Sequence, residues 1–335
     1  MPVFWSLTMQ ATNNGLVKFP LASTFNIAVS DTATIMGFAD TSNPFIPEIT
    51  SSYVFRKEFV IEFRAFLHQP DGDAYYVTGP TGSGKTSSMT EILGRLNWPV
   101  QQVPAHGRME LSDLVGHHAL VSATPGAAPT MQFMHGPLAL AMKHGHVLLI
   151  NEIDMMDPSE LSGLNDILEG RPLVIAQNAG EIIKPHPMFR VVVTGNSAGQ
   201  GDASGLYQGI VMQNIASMDR YRFAVVDYDE AVDALILEAE LPGLPAILRN
   251  GMIKVAQHVR RVFKGEDGQG GSISVTMSTR TLKRWARLTC MFKGHPTALK
   301  YGLEMALLRR LRYTKPEEAT AINQIASDVF GSEWA

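Results

Sequence analysis

The chain has 335 residues, 45% of them hydrophobic, enough apolar material for one large or two modest packed domains. Its formal net charge of −4 and pI near 6.2 supply no overall basic field, which disfavours duplex nucleic acid as a partner without excluding a local basic patch. Cys290 is the only cysteine, so neither an intrachain disulfide nor a cysteine-clustered zinc site can form; this fits a reducing compartment and makes the cytoplasm the default location.

The start, Met1-Pro2-Val3-Phe4-Trp5, lacks a basic segment ahead of a long apolar run, and the chain holds no apolar stretch of about eighteen residues. Secretion and membrane spanning are not expected. Residues 1–52 mix short apolar pieces such as Phe25-Asn26-Ile27-Ala28-Val29 with small polar residues and the proline-punctuated Asn43-Pro44-Phe45-Ile46-Pro47-Glu48. They read as a small appendage of strands and turns. From Tyr53 to Leu67, the residues Phe55, Phe59, Phe63, Phe66 and Leu67 recur at helical spacing, the mark of a helix with one face in a core.

Ala74-Tyr75-Tyr76-Val77-Thr78 reads as a buried strand, and Gly79, Pro80, Thr81, Gly82, Ser83, Gly84, Lys85 and Thr86 follow it directly. This is the GxxxxGK[ST] pattern between a strand and a helix. Its glycines let backbone N–H groups converge on phosphate oxygens at a helix N-terminus, while the lysine reaches the β- and γ-phosphates and the hydroxyl serves Mg²⁺. An isolated glycine turn would only join two elements, but here every demanded position is filled. A nucleotide, ATP with Mg²⁺, is the expected ligand. The helix runs through Arg95 and ends at Asn97-Trp98-Pro99, because proline cannot continue it, and 100–103 resumes as a strand.

Two short runs around a small-residue tip at 124–129 predict a hairpin over 119–134, ahead of a helix starting at Pro137; an ordinary surface loop fits that segment equally well. Next, His146-Val147-Leu148-Leu149-Ile150-Asn151-Glu152-Ile153-Asp154 is an apolar run ending in acids, as expected of a central parallel strand with polar groups at its carboxyl end. Glu152 is placed to orient and polarise the attacking water in phosphoryl transfer. Asn151 stands where an aspartate ordinarily supports Mg²⁺; it can hydrogen-bond a metal-bound water but adds no charge. Asp154 is a second acid that can compensate if it points inward. Asp157-Pro158-Ser159-Glu160 predicts a helix start, with Asp at N-cap, Pro at N1 and Glu at N3, and the helix is expected to run to Glu169.

A second hairpin is predicted over 173–183, turning at Gln177-Asn178-Ala179-Gly180. Phe189-Arg190-Val191-Val192-Val193-Thr194-Gly195-Asn196 is another buried strand with a polar end, where Asn196 can donate to the γ-phosphate or the attacking water; a turn-forming Asn is the plain alternative. Arg220, just before the last strand, can project into a neighbouring subunit's nucleotide, or form a surface pair with Asp219. From 229 onward the pattern is wholly helical, with a glycine-rich break at 265–271, and Arg280 near the start of one helix can fold back over bound ATP. The resulting plan is an appendage at 1–52, an α/β nucleotide-binding domain at 53–228 with the two inserted hairpins, and a helical lid at 229–335.

This order of loop, strand with acid, strand with Asn, Arg, and helical lid with Arg resembles the AAA+ ATPases, and the inserted hairpins resemble those of the MoxR branch. Within that branch, Leu96-Asn97-Trp98-Pro99, Asp113-Leu114-Val115-Gly116, the run from Ile183 to Arg190, Gly205-Leu206-Tyr207-Gln208-Gly209, Met218-Asp219-Arg220 and Ser278-Thr279-Arg280-Thr281 are similar to the small AAA+ subunits of aerobic cobaltochelatases. The segment from Phe25 to Phe55 shares the likeness, which therefore spans nearly the whole chain.

The resemblance implies an AAA+ P-loop core with a parallel sheet, helices on both faces and a helical lid. It also implies hexameric rings acting with a partner that carries a von Willebrand factor A domain and a metal site, to drive cobalt into a corrin precursor. On this footing Glu152 is the hydrolytic residue, Asn196 sensor 1, Arg220 the arginine finger with Arg222 as the rival, and Arg280 sensor 2; Thr86 and Asn151 face the metal. Other readings stay open. One is a MoxR-type chaperone acting with a different von Willebrand partner; another, a nucleic-acid translocase, would weaken steeply with salt and is disfavoured by the acidic composition. Asn151 also leaves room for a purely structural nucleotide binder.

Overall fold

The computed structural model describes residues 15–122, 128–201, 209–265 and 273–334. The described chain enters through the antiparallel pair β1 (Leu16–Pro20) and β2 (Thr34–Phe38), with Leu21, Phe25, Ile27 and Ile35 buried. These residues do not form a core of their own. They pack with Phe59, Phe63, Tyr75 and Ile92, so the appendage shares apolar surface with the nucleotide-binding part.

The central sheet has five parallel strands, β3 (Ala74–Thr78), β4 (Val100–Pro104), β7 (Val147–Asn151), β10 (Arg190–Gly195) and β11 (Tyr221–Val225), in the order β11-β3-β10-β7-β4. Strand side chains alternate between faces, and in β7 Leu148 and Ile150 join one apolar cluster while Val147 and Leu149 join the other. Both faces are covered, which is why these strands read as continuous apolar runs. Helix Lys57–His68 and the phosphate-loop helix Lys85–Arg95 cover one face; helix Pro137–His144 covers the other. The predicted phenylalanine stripe is in place, with Phe59, Phe63 and Phe66 buried. Phe55 precedes the helix and lies under the Arg95 guanidinium, 4.6 Å from the ring centroid.

Both hairpins form. The first pairs β5 (Gly116–Val121) with β6 (Thr130–His135), longer than 119–134, and the second pairs β8 (Leu173–Ile175) with β9 (Glu181–Ile183). Most of the tip at 124–129, the 205–208 part of the Gly-Leu-Tyr-Gln-Gly motif and nearly all of the 265–271 break lie outside the described residues. The expected single helix from Pro158 to Glu169 is instead two pieces, Pro158–Ser162 and Asn165–Leu168. Gly163 separates them where the chain presses on Leu111, whose Cδ2 would be 2.5 Å from an added Cβ. Asp157 caps the first piece by accepting from Ser159 N–H, but Glu160 does not complete a capping box: its carboxylate accepts from the N–H of Leu111.

The C-terminal part is all helical, built on Glu230–Glu240, Ala246–Lys264, Thr279–Met291 and Pro316–Phe330. It has its own apolar cluster, centred on Met252, Trp285 and Ile322. None of the described helices is long and apolar enough to cross a membrane.

Candidate functional site

The carboxyl ends of β3, β7 and β10 meet at one edge of the sheet, where parallel α/β sheets bind ligands. The phosphate loop leaves β3 tightly packed. A Cβ at Gly79 would stand 2.2 Å from the carbonyl oxygen of Val226, and one at Gly82 would stand 2.8 Å from Ser278 of the lid; both glycines adopt positive φ. A larger residue at Gly79 would have to displace backbone and one at Gly82 the Ser278 side chain, and at both the positive φ strains any residue with a Cβ.

Lys85 Nζ donates to the carbonyls of Gly79 (2.7 Å) and Pro80 (3.1 Å) and to Oδ1 of Asn196 (2.8 Å). Burial pushes its ammonium down to about 8, against the pull of Asp154 and Glu152 and with a further push from Arg280. Thr86 Oγ1 donates to Oδ1 of Asn151 at 2.7 Å. Glu152 follows in the left-handed region, φ 58 and ψ 45, its N–H donating to Thr194 Oγ1 at 3.0 Å. Lys85, Thr86, Asn151, Glu152, Asn196 and Arg280 all line a cleft of about 480 Å³. A second space of about 570 Å³ shares Gly82, Gly84 and Arg280 with it and runs between Tyr53, Val54 and the lid residues Val232 and Ile236.

Asp154 does not serve the metal side. It is fully buried, and its Oδ2 accepts from the N–H of Asn196 (2.7 Å), the N–H of Ser197 (3.1 Å) and the Ser197 hydroxyl (3.2 Å). It anchors the turn that carries Asn196. Thr86 and Asn151 are neutral oxygen donors, a type that suits Mg²⁺ holding several waters and the nucleotide's own phosphates. Among the described residues no group of three or more His, Cys, Asp or Glu can hold a metal ion.

Arg220 lies at the opposite edge of the sheet. Its carbonyl accepts from Ala74 N–H at the start of β3, about 13 Å of strand away from the phosphate loop. Its side chain pairs with Glu169 at 2.5 Å, not with Asp219. Its guanidinium also donates to the carbonyl of Ala216 at 2.7 Å, in the short helix that begins at the exposed Ile215 (87%). Arg222 is tied within its own chain to Asp73 at 2.9 Å and to the carbonyls of Gln69 and Pro70.

Residues 75–208 match the model of the AAA domain, dynein-related subfamily, and residues 233–329 match the CbbQ/NirQ/NorQ C-terminal model. The aerobic cobaltochelatase subunit CobS of Sinorhizobium sp is 30% identical over 257 residues, 74% of each chain. The chain belongs to the MoxR-type AAA+ ATPases. Shorter matches of 33% identity over 150 residues join this MoxR-type chain to uncharacterized proteins SH1500 of Staphylococcus haemolyticus and SAUSA300_1302 of Staphylococcus aureus, covering 45% of this chain and 54% of each relative. The match thus spans about half the length of those two. A crystal structure from Cytophaga hutchinsonii superposes with a TM-score of 0.43 at 15% identity, over 82% of this chain and 90% of that one.

Three site residues escaped the sequence reading. Thr194 fixes Glu152, Arg56 donates to the carbonyls of Ser83 and Asp227, and Tyr228 donates to the carbonyl of Thr81. Only Thr194 left a signal: it lies two residues before Asn196, hence on the same face of the strand.

Proposed function

We propose that this MoxR-type ATPase is a motor that hydrolyses ATP with Mg²⁺ and spends the energy on a partner protein, as the ATPase subunit of a cobaltochelatase-like metal insertion system. The observation that carries the reading is the convergence of Lys85, Thr86, Asn151, Glu152, Asn196 and Arg280 on one cleft. In this reading the phosphate loop, residues 79–86, cradles the phosphates with Lys85 against the β- and γ-oxygens. Asn196 and Arg280 stabilise the γ-phosphate from the sheet and the lid, and Glu152 takes the proton of the attacking water. Thr86 and Asn151 hold Mg²⁺, which supplies charge neutralisation of the transferring phosphate.

The trans role of Arg220 is supported by its place at the far edge of its own sheet and by the exposed Ile215 at the start of the helix it bonds to. A closed heterologous contact yields a ring, by likeness to the family a hexamer. Likeness to CobS supports the metal-insertion pathway, with a von Willebrand factor A protein as the partner. Lys85→Ala is expected to abolish nucleotide binding, whereas Glu152→Gln binds ATP and hardly turns over. If Glu152→Gln hydrolyses at the parent rate, Glu152 is not the base.

A further inference from the structure

We infer that Tyr228 is a positioning residue that sets a phosphate-loop N–H and the lid arginine together, through a relay that runs Thr81, Tyr228, Arg260, Met277 and Asp233, Thr279. Tyr228 lies in the linker where the sheet hands over to the lid, and its hydroxyl donates to the carbonyl of Thr81 at 2.6 Å. A peptide unit is planar and trans, so its C=O and the next N–H point in opposite directions. Holding the Thr81 carbonyl toward the linker therefore directs the N–H of Gly82 the other way.

The other end of the tyrosine is also engaged. The Arg260 guanidinium lies 4.2 Å from the centre of its ring. Arg260 is itself buried; its Nε donates to the Met277 carbonyl at 2.8 Å and its guanidinium pairs with Asp233 at 2.6 Å. Asp233, buried as well, accepts from the Thr279 hydroxyl at 2.7 Å. Met277 and Thr279 bracket Ser278, which caps the helix bearing Arg280 by accepting from Thr281 N–H. The first turn of that helix is thus pinned through Arg260 to the same ring that holds the loop. A buried cation over an aromatic face is an interaction of some strength and defined geometry, so displacement of the loop is felt at Arg280.

The inference rests on the cleft being the nucleotide site, and the test keeps the two apart. Tyr228→Phe removes the hydroxyl and leaves the ring under Arg260. With the full chain and a fluorescent ATP analogue, this variant is expected to bind about three- to tenfold more weakly, with a melting temperature lowered by no more than about 2–4 °C. In a cycle with Arg280→Ala, the penalty of Tyr228→Phe shrinks, because part of it acts through Arg280. Parental affinity in Tyr228→Phe, or penalties that simply multiply in the double variant, overturns the relay. Lys85→Ala run alongside shows whether the analogue reads the cleft; if the parent chain itself fails to bind, both readings fall.

Discussion

Thr86 Oγ1 and Asn151 Oδ1 are hydrogen-bonded at 2.7 Å, joining the start of the phosphate-loop helix to the end of a strand 65 residues further along the chain. Where the metal is read to sit, the chain therefore offers a neutral acceptor. Asn151→Asp keeps the shape and adds one negative charge facing the ion, so the Mg²⁺ concentration needed for half-maximal nucleotide binding is expected to fall. An unchanged Mg²⁺ titration would count against a metal-facing role for this position.

Lys85 is expected to make nucleotide affinity pH-dependent. Burial lowers its ammonium to about 8, whereas contact with phosphates favours the charged form. Below about 8 the lysine already carries its proton and binding takes up none. Above that pH, binding has to recruit a proton, and affinity is expected to fall by up to about tenfold per pH unit. Glu152→Gln removes one of the carboxylates that hold the lysine up, so its decline is expected to start at lower pH. Binding of a non-hydrolysed ATP analogue between about pH 7 and 9.5 checks both; a flat profile would remove Lys85 from the titration.

If Arg220 completes a neighbour's site, two inactive variants can rescue each other. Arg220→Ala subunits keep Lys85, and Lys85→Ala subunits keep Arg220. In equal random mixing, one half times one half of the contacts pair an intact loop with an intact arginine, about a quarter in a closed ring. Recovered ATPase activity on that scale is expected, and its absence in rings shown to have exchanged subunits would refute the trans role.

The hairpins are expected to carry output to the partner. Leu120 (67% exposed) and Met131 (65%) face each other across β5 and β6, and Val174 and Ile182 do the same across β8 and β9. His135 beside Glu181, at 2.6 Å, joins the two hairpins and holds that carboxyl below its ordinary range. The joint variant Leu120→Ser, Met131→Ser is expected to change stability by no more than about 0.5 kcal/mol per site and to spare basal hydrolysis. Metal insertion by a reconstituted chelatase should fall sharply, as it should when 124–129 is replaced by a Gly-Ser turn. Partner-dependent activity at the parent rate would make the first hairpin an ordinary surface loop.

What could be read from the sequence was whatever a local pattern dictates. Buried strands announce themselves by length and apolarity, so β3, β7 and β10 and the polar residues at their ends were placed correctly, as was the helix starting at Pro137. Direction of a side chain after a strand is a tertiary matter. Asp154 looked like a second metal acid because it follows Glu152 by two, yet the chain enters a short 3₁₀ turn there and carries the carboxylate beneath Asn196. Likewise the partner of Arg220 is Glu169, 51 residues away, which no spacing rule can find. Tyr228 left no trace, since its role depends on a carbonyl in a loop 147 positions earlier.

Glu152 adopts a backbone conformation that residues with a side chain enter at a cost of roughly 1–2 kcal/mol, held there by the Thr194 hydroxyl. Glycine would adopt the same conformation without that cost. If Glu152 is the hydrolytic residue, folding and turnover pull toward different residues at this position, and selection of variants by thermal resistance alone is expected to drift toward a sturdier protein that turns over less. Any attempt to stabilise this chain for use has to score hydrolysis at every round, because one of the strained points of its backbone is the point where its chemistry is read to occur.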